Sequence, residues 1–156
     1  MGYTVRPLQV GDIDAYLRMF SYKVRAALHV DTVAAERVYL QECLQLQSKG
    51  LTHFYVICAD EMIIGALEIR NAIYSFHGQL YCWLHEYYWG SGIFKQACLA
   101  VAQDYFFKTG DYLISAYVDY SNPRSFRALQ KVGFAHSGIT FGAHGIQYEL
   151  LLRRRD

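Results

Sequence analysis

Tyr87-Tyr88-Trp89-Gly90-Ser91-Gly92-Ile93 joins an apolar stretch, residues 79–85, to the longest helical pattern in the chain, residues 92–108. On the far side Ile93, Ala97, Val101 and Tyr105 fall on one helical row, with Phe94 and Cys98 beside it. Glycines at such a joint let backbone N–H groups and the positive end of the helix face an anion closely. That suits a pyrophosphate. Glycine also serves simply to turn a chain, so the motif alone leaves both readings open.

The neighbouring segments extend the pattern. Residues 3–7 read as an edge strand, and Asp12 caps a helix whose Ile13, Tyr16, Leu17 and Phe20 keep the spacing of one buried face. A second helix is predicted from Thr32 to Lys49, stopped by Gly50, and the segment from Ser21 to Asp31 is left unassigned. His53 to Ala59 and Met62 to Arg70, turned at Asp60-Glu61, form a hairpin. After the long helix, ended by Gly110, come a strand over Tyr112–Val118 and a helix opened by Asn122-Pro123 and closed by Gly133. Two strands, 134–141 and 146–152, flank the turn Gly142-Ala143-His144-Gly145. The predicted order is βααβββαβαββ.

The second informative stretch is Asn122-Pro123-Arg124-Ser125, followed by Lys131-Val132-Gly133-Phe134. Each stretch taken locally is explained by helix capping. Together they stand in order, each directly after a predicted central strand and roughly thirty residues apart. In this the chain resembles the GNAT superfamily of N-acetyltransferases over nearly its whole length. Asn122, Ser125, Lys131, Gly133 and Phe134 match the family's Asn-x-x-Ser and Lys-x-Gly-Phe pattern in a form like the ribosomal-protein N-terminal acetyltransferase branch. The family's coenzyme A turn falls on Trp89, Gly90, Ser91, Gly92, Ile93 and Phe94; Gly92 matches, whereas Trp89 stands for Gln or Arg and Phe94 for Gly or Ala.

The resemblance implies an α/β (α+β) fold, a mixed and mostly antiparallel sheet of about seven strands splayed between the fourth and fifth. It implies acetyl-CoA as co-substrate, its pyrophosphate on the amides of residues 90–95 with Lys95 adding charge. The pantetheine would lie against free backbone groups near Cys82 and Leu84, and Asn122 and Ser125 would face it from the other wall. Direct transfer is implied: a neutral amine, of a peptide N-terminus or a small molecule, attacks the thioester while a backbone N–H near Leu84 polarises the oxyanion. The tyrosine that in many relatives protonates the leaving thiolate is replaced by Leu129, which makes Ser125 the acid candidate. A homodimer is expected, as is common in the family.

A base is needed because most amines are protonated near neutrality. Glu68 and His144 rank ahead of His85, with Glu86 behind; a solvated or locally bonded role competes for each. His29, His53, His77 and His136 are read as structural. The substituted turn and the missing tyrosine and base motivate a second reading, a non-catalytic coenzyme A-binding or regulatory module.

The composition narrows the remaining classes. With 156 residues, two prolines and 53% hydrophobic content, the chain fits one domain over residues 1–156. A formal net charge of +1 argues against nucleic acid as the main partner, and Arg153-Arg154-Arg155 reads as a solvated tail. Cys43, Cys58, Cys82 and Cys98 lack the spacing of a metal site. No signal-peptide or membrane-spanning run is visible, so a cytoplasmic, soluble protein is expected, with no membrane partner. A nucleotide enzyme is disfavoured because the turn lacks both the P-loop Lys-Ser/Thr and the third glycine of a dinucleotide fingerprint.

Overall fold

The computed structural model describes residues 2–71 and 77–155. Seven strands form one sheet: β1 (Tyr3–Pro7), β2 (Thr52–Ala59), β3 (Met62–Asn71), β4 (Gly78–Leu84), β5 (Leu113–Asp119), β6 (Ala135–Gly142) and β7 (Gly145–Arg153). Their order across the sheet is β1-β2-β3-β4-β5-β7-β6. Every neighbouring pair is antiparallel except β4 and β5. The helices are α1 (Ile13–Met19), α2 (Tyr22–Leu28), α3 (Val33–Ser48), α4 (Ile93–Thr109) and α5 (Pro123–Val132). The segment left unassigned in the sequence thus holds a short helix, capped by Ser21, whose hydroxyl accepts from Val24 N–H. None of the helices is long and apolar enough to cross a membrane.

Strand alternation divides the core between two faces. One side of β2–β4 presents Phe54, Val56, Ala66 and Trp83 to Tyr16, Leu17, Phe20, Leu40 and Cys43 of the α1–α3 layer. The other presents Ile57, Leu67, Ile69 and Leu84 to Val101, Tyr105, Leu129 and other residues of α4 and α5. The last strand also revises the arginine tail: Arg153 ends β7, and Arg154 donates from its backbone to Tyr112 and lays its guanidinium over that ring.

The joint between β4 and β5 positions the site. The parallel register holds only at Gly78–Ile114 and Gln79–Ser115. Beyond it the strands diverge. A Cβ on Gly78 would lie 2.5 Å from Ile69 Cγ2 and 2.6 Å from Tyr105 Oη, so only glycine lets β4 start this close to α4. Ser115 Oγ adds a hydrogen bond to the Gly78 carbonyl.

Candidate active site

The splay leaves an edge of β4 without a strand partner. His85 N–H donates to Ile64 on the β3 side, so alternation turns the N–H and C=O groups of Leu80, Cys82 and Leu84 toward the gap. The Leu84 carbonyl is already taken by Trp89 Nε1–H at 2.8 Å. The Leu80 amide completes the Gln79–Ser115 pairing with β5, so the free edge consists of the amides of Cys82 and Leu84 and the carbonyls of Leu80 and Cys82. A cleft of about 320 Å³ runs along it, walled by Val24, Ala27 and Leu28 of α2 and by Asn122, Ser125 and Ala128 at the start of α5. Its outer end is the turn before α4.

That turn is built as the sequence suggests. Gly90 and Gly92 have φ of +79° and +85°, and a Cβ at either would meet nothing within 4 Å. The glycines are thus required by backbone curl and face open space. The first turn of α4 lacks intrahelical acceptors for its N–H groups, leaving an anion-seeking helix start. Ser91 Oγ stiffens the loop by donating to the Tyr88 carbonyl at 2.6 Å and accepting from Ile93 N–H. Phe94 lines the cleft and packs on the core, while Lys95 projects into solvent on the first turn.

Across the gap Asn122 caps α5, its side-chain oxygen accepting from Ser125 N–H at 3.2 Å. Ser125 Oγ has no hydrogen-bond partner among the described residues. Leu129 is buried against the sheet and far from acting as an acid. Arg124, which the sequence reading passed over, lays its guanidinium 4.1 Å from the centre of the Trp89 ring and bridges the two walls. Trp89 thereby fixes the last β4 carbonyl and carries a cation where the family pattern has a polar side chain. An arginine two residues after the capping asparagine was the visible signal; its stacking partner 35 positions away was not.

The base candidates fare unequally. Glu68 is 1% exposed and belongs to the α1–α3 face, where Tyr39, Thr52, Cys43 and Arg70 all donate to its carboxylate. Its position corrects the expectation that it borders the cleft: alternation along β3 turns residue 68 with Ala66, away from α4. His85 accepts from Tyr87 N–H at Nδ1, which occupies that lone pair, and sets Nε2 3.6 Å from Glu86, beyond hydrogen-bond reach. Glu86 is buried enough to raise its carboxyl, but the Ser21 hydroxyl at 2.6 Å holds it below its ordinary value. His144, in the hairpin turn, stacks on His29 with ring centres 4.0 Å apart. His29 in turn is 2.5 Å from Asp119, a partner that no local sequence pattern indicates.

Beneath the cleft floor lies a second acidic group. Trp83 Nε1–H donates to Tyr16 Oη at 2.7 Å, Tyr16 donates to Glu36 at 2.6 Å, and Tyr81 donates to the same oxygen at 3.3 Å. Burial pushes the Glu36 carboxyl above its ordinary value against the pull of these hydroxyls. Cys82, on the cleft wall, stays a thiol, its pKa pushed up to about 12 by burial. Among the described residues no group of three or more His, Cys, Asp or Glu is placed to hold a metal ion.

The family model for the acetyltransferase (GNAT) domain matches residues 3–135. The chain belongs to the GNAT acetyltransferase family. Solved GNAT structures share its fold across nearly the full length. The ribosomal-protein-S5-alanine acetyltransferase from Vibrio fischeri superposes with a TM-score of 0.82 at 21% identity, covering 100% of this chain and 95% of that one. RimL, the ribosomal L7/L12 α-N-protein acetyltransferase solved with coenzyme A, gives 0.82 at 18%, covering 97% and 93%. The aminoglycoside acetyltransferase AAC(6')-Ib, also with coenzyme A, gives 0.79 at 15%, covering 98% and 95%. No curated protein matches the sequence. As a GNAT acetyltransferase the chain is an enzyme of acyl transfer, and its seven-stranded sheet parted between β4 and β5 is the architecture of that family.

Proposed function

We propose that this acetyltransferase moves an acetyl group from acetyl-CoA to a primary amine by direct attack within a ternary complex, with a peptide N-terminus as the favoured acceptor. The observation that carries the reading is the parted β4 edge, which opens at one end onto the Gly90–Gly92 turn and faces Asn122 and Ser125. An extended amide-bearing arm fits such an edge as an added strand, its amides pairing with the Leu80 carbonyl and with both backbone groups of Cys82. Its pyrophosphate fits the start of α4, with Arg124 on Trp89 and Lys95 as the nearby cations. Ser125 Oγ, unbonded among the described residues, supplies a proton to the departing sulfur. The Leu84 amide polarises the thioester oxygen. The acetyl-CoA and coenzyme A complexes of structural neighbours, and the protein acceptors named for two of them, support the assignment of donor and acceptor class.

The cleft lining contains no carboxylate or imidazole, which favours a second reading, a module that binds coenzyme A without turning it over. Thiol release from acetyl-CoA, followed with short peptides bearing free N-termini and with a panel of small amines, separates the two. Turnover with any acceptor supports the transferase, and faster turnover with peptides supports the acceptor class. Strong protection against heating by acetyl-CoA together with silence across the whole panel would establish the module.

A further inference from the structure

We propose that the imidazole of His29, oriented by Asp119, accepts the proton of the incoming amine. The proposal rests on the transferase reading above and supplies the base that reading lacks.

His29 ends α2 in the left-handed region, φ 57°, immediately after Leu28 of the cleft wall. Asp119 ends β5, and its backbone carbonyl accepts from Asn122 N–H on the opposite wall at 2.9 Å. The contact between His29 Nε2 and Asp119 Oδ2, at 2.5 Å, therefore joins the two walls just outside their lining, next to Leu28 on one side and to Asn122 on the other. The other carboxylate oxygen accepts from Gln147 Nε2–H at 3.2 Å, so Asp119 is fixed from both sides. The titratable groups set against the His29 ring are Asp119 from β5 and His144 from the hairpin turn, the latter stacked with planes inclined by 12°.

A carboxylate on Nε2 takes the ring N–H and leaves the lone pair on Nδ1. Among the described residues nothing is bonded to Nδ1, and the His29 side chain is 36% exposed. Among the described residues it is the one imidazole beside the cleft walls with an orienting carboxylate within hydrogen-bond reach and a nitrogen to spare. The Nδ1 lone pair of His85 is taken by Tyr87 N–H, Glu86 is occupied by Ser21, and Glu68 is sealed beneath α3.

The proton count closes. An ammonium gives one proton to Nδ1, and its freed lone pair attacks the thioester carbonyl carbon. The C–N bond forms and the C–S bond breaks as the adduct collapses. A second nitrogen proton reaches the departing sulfur through Ser125 Oγ, and the first passes from His29 to water. Ammonium and thioester thus become amide, thiol and one released proton.

The test uses the full chain, the His29→Gln and Asp119→Asn variants, and whichever peptide or small amine of the panel the unaltered enzyme acetylates fastest. General-base loss lowers kcat/KM by about 100-fold near neutrality. The deficit is expected to shrink toward parity as pH approaches the amine's own pKa, where the acceptor arrives already neutral. Calorimetric coenzyme A affinity should stay within about twofold. Imidazole added to His29→Ala should restore part of the rate. A deficit that is constant with pH, a loss confined to coenzyme A affinity, or unchanged turnover in His29→Gln would overturn the proposal while leaving the transferase intact. Silence of the unaltered enzyme across the panel would overturn both.

Discussion

Tyr16→Phe removes a single oxygen that is wholly buried and serves two partners. Trp83 Nε1–H loses its acceptor and Glu36 loses the closer of its two hydroxyl donors. An unmet buried N–H costs about 1–3 kcal/mol, and a hydrogen bond to a charged carboxylate contributes about 1.5–3 kcal/mol. The expected loss near pH 7.5 is therefore roughly 3–5 kcal/mol, with only the indole share of about 1–3 kcal/mol left where Glu36 is protonated. The sign of the pH effect follows from the raised Glu36 carboxyl. The folded state keeps this proton to a higher pH than the unfolded state does. Stability therefore falls as pH rises from the ordinary glutamate value through the folded one, and more steeply once the Tyr16 donor is gone. Urea unfolding measures it. With an m-value of about 2 kcal/mol/M, the midpoint should drop by about 2 M near pH 7.5 and about 1 M near pH 4.5. Glu36→Gln in the same background should flatten the difference. A Tyr16→Phe midpoint within about 0.5 M of the parent at both pH values, or an equal drop at both, would refute the network as the support of Trp83 and the cleft floor.

Three further outcomes are expected. Gly92→Ala meets no side chain but forces alanine to φ +85°, about 1–2 kcal/mol of left-handed strain; the loop relaxes and coenzyme A affinity, read by calorimetry, falls roughly tenfold. Gly65→Ala sets a Cβ 2.5 Å from the Trp83 carbonyl and 3.2 Å from Leu84 Cα, pushing β4 off β3; a melt should show about 1–3 kcal/mol of destabilisation and a smaller gain from added coenzyme A. Asp12 is held below its ordinary value by the Arg6 hydrogen bond, against burial, so its contribution is present above the unfolded carboxyl value and is lost as pH falls through the folded one. The stability gap between the parent and Asp12→Asn should accordingly close in acid urea titrations and stay open at neutrality.

Much of this architecture was legible in the chain. The two capped helices α4 and α5, each shortly after a strand and opened by Gly92 or Asn122, located one wall of the cleft and its outer end because their start signals are local. The helix α2 was not legible: Val24 is its one buried residue, so no apolar period marks it. Glu68 showed the limit of strand reading. An acid among apolar residues on a doubly covered strand is equally compatible with either face, and the register with Phe54 and Tyr81 decides for the α3 side. His29 and Asp119 stand 90 positions apart, and the Trp89–Arg124 stack joins two turns that share no local pattern. Contacts of this kind arise only when the sheet brings distant strand ends together.

The short pairing of β4 with β5 gives the molecule a mechanical character. Two register pairs and the Ser115 bond pin one end of the gap, while at the other His29 on Asp119 ties the end of α2 to the end of β5. Two bare strand edges inside a sheet invite pairing with a foreign strand; here they lie in the interior of the sheet, and α2 and the start of α5 wall the slot between them, so the edge is shielded from chance partners.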